Sequence, residues 1–330
     1  MPSPGRIDTL AGMIDEEASG WIAALGLGPG PAGGYVRSYV EPLFTRTYVL
    51  VTADTGGRPG PCGDFQLYFH HAGGPLRIDG GPAAASTAAS TAASTAASTA
   101  ASTAASTAAS TAASTAASTA IVLGPPDRFQ HGAAGGAALS LAGGTWALIS
   151  VIEALEPSAD APAGADRWRP APGEPLVARL GLAPHVEGGY FRELWAARGR
   201  VATDAGPRPR ASTIYYLLTR DAPLGRFHRN ISDITHLLHT GGPIVYQLIS
   251  PEGVWREVVL GRDHAAGQVL TFTCPGGWWK SSRLPVGVEV GLISEIVAPG
   301  FDYADHQIAD EALFARLFPR LRARWAGCVR

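Results

Sequence analysis

The sequence predicts an all-β protein built as two tandem β-barrels or sandwiches with short flanking helices. Three observations carry this. The chain has 330 residues, 46% of them hydrophobic, which is material for two ordinary cores. Five segments recur in the same order in the two halves. Between the recurring segments, the second half alternates β-branched and aromatic runs with Gly, Pro and Asp turns.

The internal repeat is explicit. LGLGPGPAGGYVRSY (Leu25–Tyr39) matches LGLAPHVEGGYFREL (Leu180–Leu194), and HHAGGPL (His70–Leu76) matches LHTGGPI (Leu238–Ile244). IVLG (Ile121–Gly124) matches VVLG (Val258–Gly261), AGGTW (Ala142–Trp146) matches PGGWW (Pro275–Trp279), and LISVIEA (Leu148–Ala154) matches LISEIVA (Leu292–Ala298). A period of about 150 residues means duplicated domains rather than solenoid repeats. The boundaries follow: residues 1–157 form a degenerate first copy, 158–174 a linker rich in Pro, Ala and Asp, and 175–330 the second copy.

Each copy opens on a short helical pattern. In the first, Leu10, Met13, Ile14, Trp21, Ile22 and Leu25 fall near helical spacing. Strand patterns follow, among them STIYYLL (Ser212–Leu218), VYQLI (Val245–Ile249), VWREVVL (Val254–Leu260) and VEVGLISEIV (Val288–Val297). At the C-terminus Leu313, Phe314, Leu317 and Leu321 share a helical face extended by Trp325, which predicts packing on the barrel exterior. Pro319 is expected to kink or interrupt that helix. Nine AAST repeats fill Ala83–Ala120, where the second copy has an ordinary hairpin. A run without charge, aromatic or large aliphatic side chains buries too little apolar area to offset its ordering entropy, so a flexible or marginally helical loop is expected.

Charge and cysteines narrow the function classes. The net charge of −2, from 26 basic and 28 acidic residues, argues against a nucleic-acid surface. No apolar run is long enough to span a bilayer. The acid-bearing start predicts no secretory leader. Three widely spaced cysteines (Cys62, Cys274, Cys328) form neither a disulfide framework nor a zinc motif, and suggest a reducing, cytoplasmic setting.

APHVEGGY (Ala183–Tyr190), FHRNISDITHLLHTGGPI (Phe227–Ile244) and VAPGFDYAD (Val297–Asp305) together resemble the DUF985 family of cupins, over most of residues 176–310 and weakly over 21–157. The resemblance implies a double-stranded jelly-roll barrel in each half with a pocket at its mouth. Related cupins include sugar-nucleotide epimerases, isomerases and metal-dependent oxygenases, and for this family itself the resemblance implies no established reaction.

The ligand positions of metal-binding cupins can be counted onto the chain. In the second copy they fall on His228, Asn230, Ile234 and Lys280, and in the first on Gly60, Cys62, Gln66 and Ala147. One imidazole, an amide, an apolar residue and an ammonium do not make a tight site for a divalent transition metal. His236 is expected to point with Ile234 into the pocket and His239 away from it. The reading is therefore of no metal and no cofactor. The first copy reads as a structural partner, or as an altered pocket lined by Cys62, Gln66 and Tyr68.

Metal-free chemistry in the second copy calls on His228, His236, Tyr216 (or Tyr215) and Lys280 as the catalytic group. A His titrating near neutrality opposite a Tyr or Lys suffices for proton transfer beside a carbonyl. Glu187 or Asp233 could orient an imidazole. Arg192 and Arg229 could pair with carboxylates or hold a substrate phosphate or carboxylate. His239 and the flat wall of Trp279 complete the substrate-binding set. The expected function is a metal-independent isomerase, epimerase or cyclase acting on a sugar-like or secondary-metabolite substrate. The alternatives are a non-catalytic ligand-binding barrel and a metal-dependent oxygenase. Expected partners are a small molecule, with no nucleic acid and no membrane. The two barrels are expected to pair within one chain, with a further homodimer left open.

Overall fold

The structure is a computed structural model and describes residues 16–31, 33–40, 44–53, 65–79, 121–123, 130–134, 138–154 and 175–330. The AAST run, the linker, Cys62, Gly60 and the start of the first helical pattern lie outside the described residues. The chain divides into two compact units, one of residues 1–68 and 73–161, the other of 69–72 and 162–330.

In the first unit the Glu16–Leu25 helix buries Ala18 and Trp21. A six-stranded sheet follows, in the order Gly28–Pro29, Tyr35–Val40, Phe44–Thr52, Trp146–Ala154, Phe65–Gly73, Gln130–Ala134. A smaller sheet sets Leu76–Asp79 between Ile121–Leu123 and Ala138–Leu141. The core is aliphatic with one phenol, and includes Val49, Val51, Leu76, Ile149, Val151 and Tyr68. The Tyr68 hydroxyl donates to Gln66 Oε1 at 2.6 Å. Two of the residues considered for a pocket in this half thus satisfy one another in the interior.

The second unit has two facing antiparallel sheets, the jelly-roll arrangement. One runs Ala183–Pro184, Tyr190–Ala196, Ser212–Thr219, Val290–Ala298, Asp233–Gly241, Thr271–Cys274. The other runs Trp255–Leu260, Ile244–Ile249, Trp279–Arg283, Leu224–Asn230, His306–Ile308. Side chains alternate across each strand, and the inward parity holds polar groups at a few places. Register fixes them: His236 lies opposite Glu295, and Ile234 opposite Val297. On the facing sheet His228 lies opposite Lys280, and Asn230 opposite His306.

Outside the second sheet the C-terminal segment closes an apolar layer of Phe227, Ile249, Trp279, Phe314, Phe318 and Trp325. Its helix is shorter than the apolar pattern suggests. It runs only Glu311–Leu317, capped by Asp310 Oδ1 accepting from Leu313 N at 2.7 Å. Pro319, which lacks an N–H, begins a separate 3-10 turn. Leu317 is therefore half-exposed at the break while Phe314 is fully buried. No helix among the described residues is long and apolar enough to cross a membrane.

Candidate functional site

The site begins at a turn. Ala183–Pro184 pairs with Tyr190–Phe191, and between them His185 N donates to Gly189 O at 3.0 Å while Gly188 N donates to His185 O at 3.1 Å. Gly188 takes φ +111° and Gly189 φ +68°, values natural only to glycine. A side chain at Gly188 would collide with the carbonyl of Leu224. Arg226 N donates to Glu187 O at 2.8 Å and ties the turn to the facing sheet. The Glu187 carboxylate is thereby buried.

Three imidazoles surround that carboxylate. His306 donates through Nε2 to Glu187 Oε1 at 2.6 Å. His228 Nδ1 lies 3.2 Å from Oε2, and His185 Nδ1 3.5 Å from it. His228 Nδ1 also meets Arg226 O at 2.8 Å, so this nitrogen carries the proton and donates. Burial is the largest influence on His228 and drives its pKa down to about 4, against the upward pull of Glu187. Burial likewise lowers His185, opposed by Glu187. Burial alone would raise Glu187, but His228, the His306 hydrogen bond and His185 outweigh it and leave the carboxyl below its ordinary range. At neutral pH the group is a carboxylate beside uncharged imidazoles on His185 and His228.

A second cluster lies on the same interior. Lys280 Nζ is 2.8 Å from His236 Nε2 and donates to Glu295 Oε1 at 3.0 Å, while His236 Nε2 is 3.1 Å from the same oxygen. Burial pushes Glu295 up, yet Lys280 and His236 hold it well below the usual carboxylate range. The His236 ring stacks on Phe272 at 4.5 Å.

Both clusters border one cavity of about 400 Å³ whose walls include His185, Glu187, Tyr216, Asn230, Ile234 and Glu295, with Phe191, Trp195, Phe301 and Tyr303 as aromatic surfaces. The Tyr216 hydroxyl donates to Gly188 O at 2.9 Å. Burial, reinforced by Glu187 and Glu295, raises its pKa well above 10, so it remains a phenol.

Of the catalytic and substrate-binding residues singled out in the sequence, Tyr216 and Glu187 line this cavity, as do Asn230 and Ile234 of the counted ligand positions. His228 stands directly behind Glu187, and His236 and Lys280 stand behind Glu295. The other five are engaged elsewhere. Arg192 donates to Leu180 O at 3.0 Å, and Arg229 to Gln307 Oε1 at 2.9 Å. Asp233 accepts from Gly276 N at 2.7 Å, His239 Nε2 meets Ser294 Oγ at 2.6 Å, and Trp279 packs against Phe314 in the outer apolar layer. Sequence reasoning missed Glu295, His306 and the cavity-facing role of His185. The signal for Glu295 was a lone carboxylate in an otherwise apolar strand, VGLISEIVA. For His185 it was the motif position shared with Glu187. Nothing local marks His306.

Residues 174–309 match the family model described as cupin superfamily (DUF985). The uncharacterized protein YML079W of Saccharomyces cerevisiae is 39% identical over 139 residues, which cover 38% of this chain and 69% of that protein. The chain belongs to the cupin superfamily, in the DUF985 family. Among solved structures, a hypothetical protein from Leishmania major is similar to this cupin at 32% identity, covering 46% of this chain and 96% of that one with a TM-score of 0.45. An oxalate decarboxylase structure covers 90% of the cupin and 84% of its own chain at 8% identity, with a TM-score of 0.46.

Metal-binding cupins raise the question of a resident ion. The counted ligand positions do not fit one. Lys280 places an ammonium against the very groups, His236 and Glu295, that could otherwise have joined a cage. The His228 nitrogen nearest Glu187 donates to a backbone carbonyl and has no lone pair to offer. Among the described residues no group of three or more His, Cys, Asp or Glu is arranged to hold a metal ion.

Proposed function

We propose that the second barrel is a metal-independent acid–base enzyme acting on a small, sugar-like or secondary-metabolite substrate by isomerisation, epimerisation or a related elimination. The observation that carries this is Glu187, a buried carboxylate bonded to His306 and flanked by His228 and His185, with His185 and Tyr216 both facing the cavity.

The roles follow from protonation. An uncharged His185 is a base able to take a proton from a carbon beside a carbonyl. As it does so, the imidazolium gains the negative field of Glu187 at 3.5 Å. The electron pair moves to the carbonyl oxygen. Tyr216, still a phenol, stabilises that oxyanion by turning its O–H from Gly188 O to the ligand oxygen, and the His185 imidazolium returns the proton to carbon. His228 and His306 position Glu187, while His236 and Lys280 position Glu295 as a second carboxylate at the cavity wall. The cupin superfamily supports small-molecule binding in such a barrel.

The test is incubation of the full chain in D₂O with a panel of sugars and nucleosides, read by mass spectrometry for deuterium uptake or loss of water. Turnover surviving chelation, and falling about 10²–10⁴-fold in His185→Asn with binding retained, is expected. Activity abolished by chelation and restored by a divalent metal would overturn the proposal. Ligands retained without any exchange would leave a binding barrel instead.

A further inference from the structure

The chemistry of the cavity wall names a ligand class, taking the site of the acid–base reading as given. Glu187, Glu193 and Glu295 line the cavity, and among the described residues no arginine or lysine does. The one ammonium nearby, Lys280, is 2% exposed and spent on Glu295 and His236. Arg192 and Arg229 donate to groups elsewhere. Asn230 borders the same space with a side chain more than nine-tenths buried, and among the described residues its Oδ1 has no hydrogen-bond partner. A buried acceptor left without a donor is costly and is relieved when a ligand supplies one. Phe191, Phe301 and Tyr303 offer ring faces and edges on the same walls. The cavity therefore presents acceptors, negative charge and aromatic surface. An anion entering it would shed water and meet three carboxylates, with no lysine or arginine among the described lining residues to receive it.

We infer that the cavity takes a ring-bearing molecule that carries hydroxyl or amino donors and no phosphate or carboxylate. Asn230 Oδ1 accepts from one such donor, Glu295 from another, and the ring lies against the aromatic walls. An amino group gains in addition from the carboxylates and from the faces of the rings.

Ligand-detected NMR on the full chain tests this with matched fragment sets. The sets are built on benzylamine, benzyl alcohol, benzoate and phenyl phosphate, each with ring-hydroxylated analogues. Binding of the amine and alcohol sets at least tenfold tighter than the benzoate and phosphate sets is expected. Asn230→Leu should weaken the bound members at least threefold. Asn230→Asp, which keeps the side-chain shape, should tighten amines selectively. Benzoates or phosphates binding equally well, no amine or alcohol binding at all, or indifference to both Asn230 variants would each overturn the inference. Only binding is read. Anion binding with proton-transfer turnover intact would remove the ligand class and leave the reaction; donor binding without turnover would do the reverse.

Discussion

Lys280 and His236 belong to opposite sheets of the second barrel, yet the lysine Nζ lies 2.8 Å from the imidazole Nε2, with Glu295 Oε1 within 3.1 Å of both. The triad ties the two layers together through one buried cation and one buried carboxylate. Removing a single partner of such a pair strands the other charge. Lys280→Met is expected to cost about 3–5 kcal/mol. Lys280→Met combined with Glu295→Gln should recover much of that, because the stranded charge is gone. Urea unfolding of the single and double variants measures it, and a double variant no more stable than Lys280→Met would contradict the pairing.

The same buried groups set an acid limit. His228 titrates near 4 in the folded chain against 6.5 for the free side chain. Between those values the unfolded chain holds a proton that the native chain refuses, so stability rises with pH across the interval. Glu187 and Glu295, both depressed, act in the same sense lower down. Each contributes stability above the unfolded carboxylate value of 4.5, lost as pH falls through its folded pKa. Denaturation midpoints should therefore fall steadily from about pH 6.5 downward. His228→Gln should flatten the segment between 6.5 and 4, a span worth about 3 kcal/mol at 1.36 kcal/mol per unit. An unchanged slope in that variant would remove His228 from the account.

Much of the fold was legible because period-two patterning and repeated turn motifs act locally. The apolar alternation that sends Ile234 and His236 inward and His239 outward survives in the structure. The turn APHVEGGY likewise announces itself through its paired glycines. The site was legible only in part, since its geometry depends on contacts distant in sequence. Glu187 meets His306 across 119 residues, and Lys280 meets Glu295 from the facing sheet. The residue types suggested chemistry at Arg192, Arg229, Asp233 and Trp279, but backbone carbonyls, a neighbouring amide, a turn N–H and the outer apolar layer claim them. A long polar side chain read from sequence alone does not reveal which nearby backbone group will satisfy it.

The outer layer carries stability rather than chemistry. Trp325 is fully buried, packs edge-on to Phe314 at 5.7 Å, and donates from Nε1 to Phe318 O at 2.9 Å. Trp325→Ala should cost about 3–5 kcal/mol, and Asp310→Ala, which removes a helix cap, about 1 kcal/mol. Neither residue borders the cavity, so ligand affinity measured below the unfolding transition should stay within twofold of the parent chain. A large affinity loss would place this layer in the site.

The glycine turn gives the sharpest test of how the backbone builds the site. Gly188 and Gly267 both sit at positive φ, +111° and +77°. A methyl group at Gly267 meets nothing within 4 Å, whereas at Gly188 it strikes the Leu224 carbonyl. Gly267→Ala therefore bears conformational strain alone, about 1 kcal/mol. Gly188→Ala bears that strain plus a backbone displacement, and the displaced turn carries Glu187 away from His306 and His228. The expected outcome is a greater stability loss at Gly188. With it, the His228 imidazole should titrate closer to the ordinary range as the pocket opens to water. Equilibrium unfolding and NMR titration of the imidazole signals decide the matter. Equal losses for the two variants, with an unshifted His228, would mean the turn does not position the carboxylate.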